Sequence, residues 1–386
     1  MRYAVNDHSG WSLSVPFDHF VLSVAAYHDT LYAGGQFSYV DGSYIPYAAC
    51  QVNGVWGSCG SFNDEVRRFQ VVNGELYAVG LFTEVDGVPC QSVAKRVGNG
   101  WECVGDLDCE SCRVSNIIGY GGALVVTGVI SLQNGPERNV MQYSDGQWSP
   151  VGVGILGGFG AGGPMAVYQG DLYLGGLIHL NAGNPGFALM RWDGSAWQQV
   201  GEGLQDETGG TVQDIKVKDL LVHEDKLFVC GGFTYAGNEY APRVATWDGS
   251  EWCSIGGDFG ENEVTAMAFY NDTLYIGCGL DAVVDGQPIG GVAKFVAPAF
   301  QNNCSGTAAL AETASDQGQR LEALGGGHYR LRGGRAGTFT FLDATGRLIA
   351  THWARPEEVL EMPSSPAGVL IAQLPDGRAQ RWVVVE

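Results

Sequence analysis

The sequence predicts an all-β protein: a six-bladed β-propeller, or seven-bladed if a blade precedes residue 1, followed by a small Ig-like β-sandwich. Three observations predict it. Glycine supplies 59 of 386 residues, about twice the usual share, with no Gly-X-Y period. Six segments repeat one plan. A tail of about 80 residues then breaks both the repeat and the charge balance.

The repeat is anchored by a short apolar strand that ends at or near glycine. Its copies are Leu31-Tyr32-Ala33-Gly34-Gly35, Leu76-Tyr77-Ala78-Val79-Gly80, Leu124-Val125-Val126-Thr127-Gly128, Leu172-Tyr173-Leu174-Gly175-Gly176, Leu227-Phe228-Val229-Cys230-Gly231-Gly232 and Leu274-Tyr275-Ile276-Gly277. The leading leucines are 45, 48, 48, 55 and 47 residues apart. That spacing suits four-stranded propeller blades rather than helical repeats near 34.

Each repeat resolves into strands a to d. Strand a is apolar, as in residues 21–27, 66–72 and 264–270. Turns such as Asn73-Gly74 and Gln169-Gly170 lead into strand b, because a two-residue hairpin turn needs positive φ. Strand c reads Met190-Arg191-Trp192 or Ala245-Thr246-Trp247. Strand d opens on Trp56, Trp101, Trp148, Trp197 or Trp252, after turns such as Asp193-Gly194-Ser195 and Asp248-Gly249-Ser250. These tryptophans are expected to pack between neighbouring blades.

The sixth repeat stops after strand c, Val292-Ala293-Lys294-Phe295. The N-terminus, with Tyr3-Ala4-Val5 and Trp11, reads as a c–d hairpin lacking strands a and b. The Trp11 strand is expected to complete the sixth blade and so remove two sheet edges. Expected boundaries are a propeller over 1–298, a linker over 299–306 and a sandwich over 307–386.

The glycine-pair strand, the aromatic c strand and the d-strand tryptophan together resemble kelch-type repeats, including the central domain of the galactose-oxidase branch. That branch holds copper with histidines and tyrosines. Here His8, His19, His28, His179 and His223 fall at scattered repeat positions, so the copper site is not carried over.

The tail resembles the C-terminal sorting domain of the Bacteroidetes type IX secretion system. The matching pieces are the segment 341–349 with Gly346 and Arg347, the segment Pro366-Ala367-Gly368-Val369, and the terminal Arg381-Trp382-Val383-Val384-Val385. The usual opening Pro-Asn-Pro is missing, and Leu370 stands where an aromatic is commonest. The resemblance implies a secreted or cell-surface protein, a signal peptide upstream of Met1, and the type IX machinery as a partner. Residues 305–386 carry a net charge of -1, against -20 for the rest.

Ten cysteines, at 50, 59, 90, 103, 109, 112, 230, 253, 278 and 304, fit disulfides in an oxidising compartment. A turn centred on Gly54-Val55 would set Cys50 opposite Cys59. Cys90 and Cys103 do not register that way, and the connectivity stays open. Cys109-Glu110-Ser111-Cys112 lacks both the βαβ context of a redox motif and a second ligand pair for zinc.

A net charge of -21 excludes a basic nucleic-acid surface. No apolar run reaches 18 residues, so no membrane span is expected. The d-to-a loops are acidic, with Asp64 and Glu65; Asp106, Asp108 and Glu110; Glu202, Asp206 and Glu207; and Asp258, Glu261 and Glu263. The b-to-c loops of the same face add Tyr39, Tyr44, Tyr47, Phe187, Tyr235 and Tyr240. Clustered carboxylates attract Ca²⁺ or a basic partner, although no EF-hand-like loop is present and no cofactor is assigned. Exposed tyrosines stack on sugars or anchor proteins. The expected role is a surface binding protein for an extracellular glycan or protein. The alternative is a polysaccharide hydrolase or lyase using loop carboxylates, without a GxSxG, HExxH or GxxxxGK[ST] motif to support catalysis.

Overall fold

The computed structural model describes residues 17–295 apart from short stretches (110–111, 132–137, 157–162, 181–182, 207–214, 257–258, 260–261, 271, 280–282, 285–286 and 289–290). Only the strand backbone is described at 4–6, 11–13, 283–284, 287–288 and in seven strands between 320 and 384. The described residues are strands, turns and loops, with no α-helix among them. The chain divides into two compact units, Met1–Phe295 and Val296–Glu386.

In the first unit, five repeats form four-stranded antiparallel sheets in the order a-b-c-d. The first comprises Val21–Tyr27, Thr30–Gly35, Ala48–Val52 and Val55–Ser58. The second comprises Val66–Val72, Glu75–Gly80, Val93–Val97 and Gly100–Cys103. Repeats three to five open at Arg113–Tyr120, Met165–Tyr168 and Val217–His223. The sixth sheet has three strands, Val264–Tyr270, Thr273–Cys278 and Val292–Lys294. Successive a strands lie side by side in chain order. This is the meander-blade arrangement of a β-propeller. The N-terminal strands Ala4–Asn6 and Trp11–Leu13 pair with each other.

The hairpin turns follow their residues. Asn73-Gly74, Gln169-Gly170 and Asp145-Gly146 have positive φ at both positions, as a type I′ turn requires. Asn53-Gly54 does the same, and Val52 faces Val55. The turn is therefore centred one residue earlier than Gly54-Val55. Cys50 consequently opposes Gly57, and Cys59 is its diagonal neighbour.

The glycines that end strand b have a specific cause. Five of the six a strands carry a one-residue bulge near their start, at Leu22, Arg67, Ser115, Lys218 and Thr265. A bulge pushes backbone toward its partner strand. A Cβ on Gly35, Gly80, Gly128 or Gly231 would lie 2.0–2.1 Å from the carbonyl oxygen of Phe20, Glu65, Arg113 or Lys216. In these four repeats only glycine fits opposite the bulge, whereas in the sixth Cys278 stands opposite Val264.

Three of the five d-strand tryptophans bond across to the preceding sheet, while the buried N–H groups of Trp56 and Trp252 have no acceptor among the described residues. Trp101, Trp148 and Trp197 donate their indole N–H groups to the carbonyls of Cys59, Val104 and Val151 at 2.7, 2.8 and 3.0 Å. Each acceptor stands three residues after the tryptophan of the preceding repeat. Apolar side chains seal the same joints. Phe69, Ile117, Met165, Leu220 and Met267 occupy one repeat position and are at most 8% exposed. Val24 holds that position in the first repeat and is 58% exposed. The incoming face of the first sheet is thus open among the described residues.

The described strands of the second unit form two antiparallel sheets. Arg320–Gly325, His328–Arg332 and Val359–Glu361 form one. Leu348–Ala354, Gly337–Asp343, Gly368–Gln373 and Ala379–Val384 form the other, in that order.

Candidate functional site

The loops expected to carry function are more ordered than their sequence suggests. Four b-to-c connections contain a second, smaller hairpin. Tyr39–Val40 pairs with Ser43–Tyr44, Glu84–Val85 with Val88–Pro89, Tyr235–Ala236 with Glu239–Tyr240, and Val283–Val284 with Gln287–Pro288. The incoming d-to-a segment docks on this hairpin. Phe17 bridges to Val40, Phe62 bridges to Val85, and Leu204–Gln205 pairs with Tyr235–Ala236. Phe17, Phe62 and Leu204 are buried plugs beneath the loops.

Polar side chains lock these contacts. Asp18 accepts the backbone N–H groups of Ser38 and Tyr39 at 2.8 and 3.0 Å. Asn63 accepts those of Thr83 and Glu84 at 2.9 and 3.0 Å. The Asp18 carboxyl is pushed up by desolvation, but the bonds from Tyr39 and Ser38 win and hold it below its usual value. The d-to-a and b-to-c loops therefore share one rigid rim in each of these repeats.

On that rim the tyrosines come in pairs. Tyr39 faces Tyr44 with ring centroids 5.4 Å apart at 66°, and Tyr235 faces Tyr240 at 5.4 Å and 69°. Both pairs are cross-strand partners on equivalent hairpins. Tyr39, Tyr44 and Tyr240 are 47%, 69% and 53% exposed, and Tyr235 is half-buried. Edge-to-face packing fixes each ring while leaving apolar area and a hydroxyl toward solvent. Phe187 instead belongs to the core.

The carboxylates divide into two classes. Asp64, Asp106, Asp108 and Glu202 are exposed, and Asp206 is half-buried. Asp106 accepts the backbone N–H of Asp108 at 2.9 Å. Glu65 is different. It is buried and accepts Arg67 Nε–H at 2.8 Å and Gln36 Nε2–H at 2.7 Å. Its alternation places it under the rim. Glu110, Asp258 and Glu261 lie outside the described residues, as do Gly346, Arg347, Pro366 and Ala367. Gly368 and Val369 open a strand of the second unit.

The innermost strands carry a polar layer that sequence reasoning did not single out. Arg68 donates to Asn116 at 2.8 Å. Asp219 accepts the backbone N–H of Met267 at 2.8 Å. Ser23 accepts that of Phe69 at 3.0 Å. Asp219 and Ser23 thereby satisfy amides on the free edge of the next a strand, while Arg68 makes a side-chain bond to that strand. Burial pushes Asp219 up and Arg68 down from their usual values. Lys216 and Lys218 both reach Glu263, at 3.5 and 3.0 Å.

The cysteines also resolve. Cys90 bonds Cys103, and Cys109 bonds Cys112. The Cys90–Cys103 link is legible only once the b-to-c hairpin is folded, because Cys90 follows that hairpin rather than lying in strand c. Cys253 is disulfide-bonded as well. Cys50 and Cys59 are free thiols in mutual hydrogen-bond contact. That contact lowers Cys50 to about 7 and raises Cys59.

No protein-family model matches the chain, and no curated protein matches it. Two solved structures of the extracellular domain of BT4673 from B. thetaiotaomicron are similar in fold, described once as a one-component and once as a hybrid two-component system. They are 9% and 12% identical, with TM-scores of 0.40 and 0.41, and the match covers 100% and 93% of this chain. The chain spans 58% and 55% of their lengths. The WD40 β-propeller domain of Doa1 is 10% identical with a TM-score of 0.28, covering 95% of this chain and 93% of that one. Likenesses this loose say nothing of the site, and the fold rests on the strand pairing above.

Proposed function

We propose that the chain is a surface-exposed binding protein that engages an extracellular glycan or protein on its d-to-a and b-to-c rim. The observation that carries this reading is the pair of equivalent tyrosine clamps, Tyr39–Tyr44 and Tyr235–Tyr240. Two hairpins present the same aromatic pair geometry, and their docking against the incoming loops lowers the ordering cost of binding. Exposed Asp64, Asp106, Asp108 and Glu202 surround the rim with negative charge, which favours hydroxyl-rich or basic ligands.

A glycan array, paired with capture of culture-supernatant proteins, tests this reading. Tyr44→Ala with Tyr240→Ala should abolish the signal while leaving the thermal midpoint unchanged. Undiminished binding by that double variant would overturn it. Release of new reducing ends from a bound glycan would convert the reading to that of a glycan-acting enzyme.

The kelch resemblance, the disulfides and the tail support two further parts of this reading. The Trp11 strand closes the ring against the open face of the first sheet. The second unit is the type IX sorting domain that delivers the protein to the cell surface. Deleting 305–386 should stop surface display while the first unit still folds. Normal display after the deletion would remove the export reading.

A further inference from the structure

We propose that His223, Glu224 and Asp272 form a binding site for one divalent transition cation of the zinc class, clamping the fifth sheet to the sixth. His223 ends strand a of the fifth repeat, and Glu224 begins its a–b turn. Asp272 sits in the corresponding turn of the sixth repeat, just before Thr273–Cys278. The site lies at the a–b turns, so it is separate from the tyrosine-bearing loops.

Imidazole and carboxylate together are the donor set of zinc. One donor atom from each residue lies within 4.8 Å of the other two. His223 Nε2 is 3.8 Å from Asp272 Oδ1, too far for a hydrogen bond and near the span of two ligands sharing one ion. A tetrahedral ion with bonds of about 2.0–2.2 Å needs its ligands a little over 3 Å apart. Small rotations of the exposed Glu224 and Asp272 side chains supply that closure. The imidazole is held ready, because its ring stacks on Phe269 at 3.6 Å and 14°. Water would complete the coordination. Calcium is a poor match, since it takes six to eight oxygens.

The binding also has a mechanical result. Two ligands come from the fifth sheet and one from the sixth, which has three strands among the described residues. The ion therefore ties the last sheet of the repeat array to its neighbour.

Isothermal titration of tag-free, metal-stripped full chain with Zn²⁺ tests the site. One Zn²⁺ per chain is expected, with a raised thermal midpoint and no comparable response to Ca²⁺. Asp272→Asn and His223→Gln should each weaken binding by about tenfold or more, the scale seen when a metal site loses a supporting group. Asp272 is 87% exposed, so its variant tests ligation without threatening the fold. The control variant Glu102→Gln, at an exposed acid of the second repeat's d strand, should bind as the wild type does. Absence of saturable binding, or full affinity in Asp272→Asn, would overturn the proposal.

Discussion

The indole of Trp148 donates to the carbonyl of Val104 at 2.8 Å, and Val104 stands three residues beyond Trp101, the tryptophan of the repeat before. The same relation links Trp101 to Cys59 and Trp197 to Val151. One side chain thereby sets the distance and register between two sheets that share no strand pairing.

Replacing that tryptophan measures the joint. Trp148→Phe keeps a ring but loses the donor and leaves a carbonyl unpaired, which costs about 1–3 kcal/mol. Trp56 and Trp252 are the matching residues of the first and fifth repeats, and neither buried N–H has an acceptor among the described residues. If the Trp11 strand closes the ring, Ser14 supplies the missing carbonyl three residues on. Trp56→Phe should then cost as much as Trp148→Phe in urea unfolding. A neutral Trp56→Phe would rule out that bond from the Trp11 strand.

Gly152 separates two kinds of glycine. Its φ is +61°, and an added Cβ would lie 2.5 Å from Cζ3 of Trp192. Gly152→Ala therefore combines left-handed strain of about 1–2 kcal/mol with overpacking of about 1–3 kcal/mol. Gly146 has φ +80° with open space around its Cβ position, so Gly146→Ala should show the strain alone. Equal losses in denaturant unfolding would remove the packing role assigned to Gly152.

Buried Glu65 and exposed Asp64 are adjacent acids with opposite expectations. Glu65→Ala strands Arg67 and Gln36 and should cost about 2–3 kcal/mol, less than a fully buried pair because Arg67 is 34% exposed. Asp64→Ala should stay within about 0.5 kcal/mol. Matched unfolding curves for the two variants would contradict the buried ion pair.

Cys50 and Cys59 give a pH-dependent signal. Hydrogen bonding from Cys59 lowers Cys50 to about 7, while the same contact raises Cys59. The thiolate is the reactive form. Under reducing conditions, alkylation of Cys50 should rise as pH increases through about 7, ahead of Cys59. In Cys59→Ser, the rise should move to higher pH if the thiol is the better donor. A Cys50 profile centred near the ordinary thiol value would rule out the coupling.

Much of the fold was legible because propeller repeats concentrate their rules in short motifs. The leucine-to-glycine strand reveals strand b, and Asn-Gly or Asp-Gly pairs reveal the turns. The minor hairpins were also written, as Asp41-Gly42, Asp86-Gly87 and Asp285-Gly286, but they hid inside stretches read as plain loops. Other features have no local signature. The bulge at Arg67 depends on the partner strand, and Glu65 looks like any rim acid until Gln36, 29 residues away, closes over it. His223 and Asp272 meet only because two turns from different repeats are stacked.

The bulges carry an evolutionary consequence. Leu22, Arg67, Ser115, Lys218 and Thr265 occupy one equivalent place, yet they span aliphatic, cationic and hydroxyl chemistry. A bulged residue has no opposite number in the ladder, so its identity is released from the demands of pairing. Repeats can diverge there without disturbing the pairing on either side, so the fold leaves one free letter at the start of every bulged innermost strand.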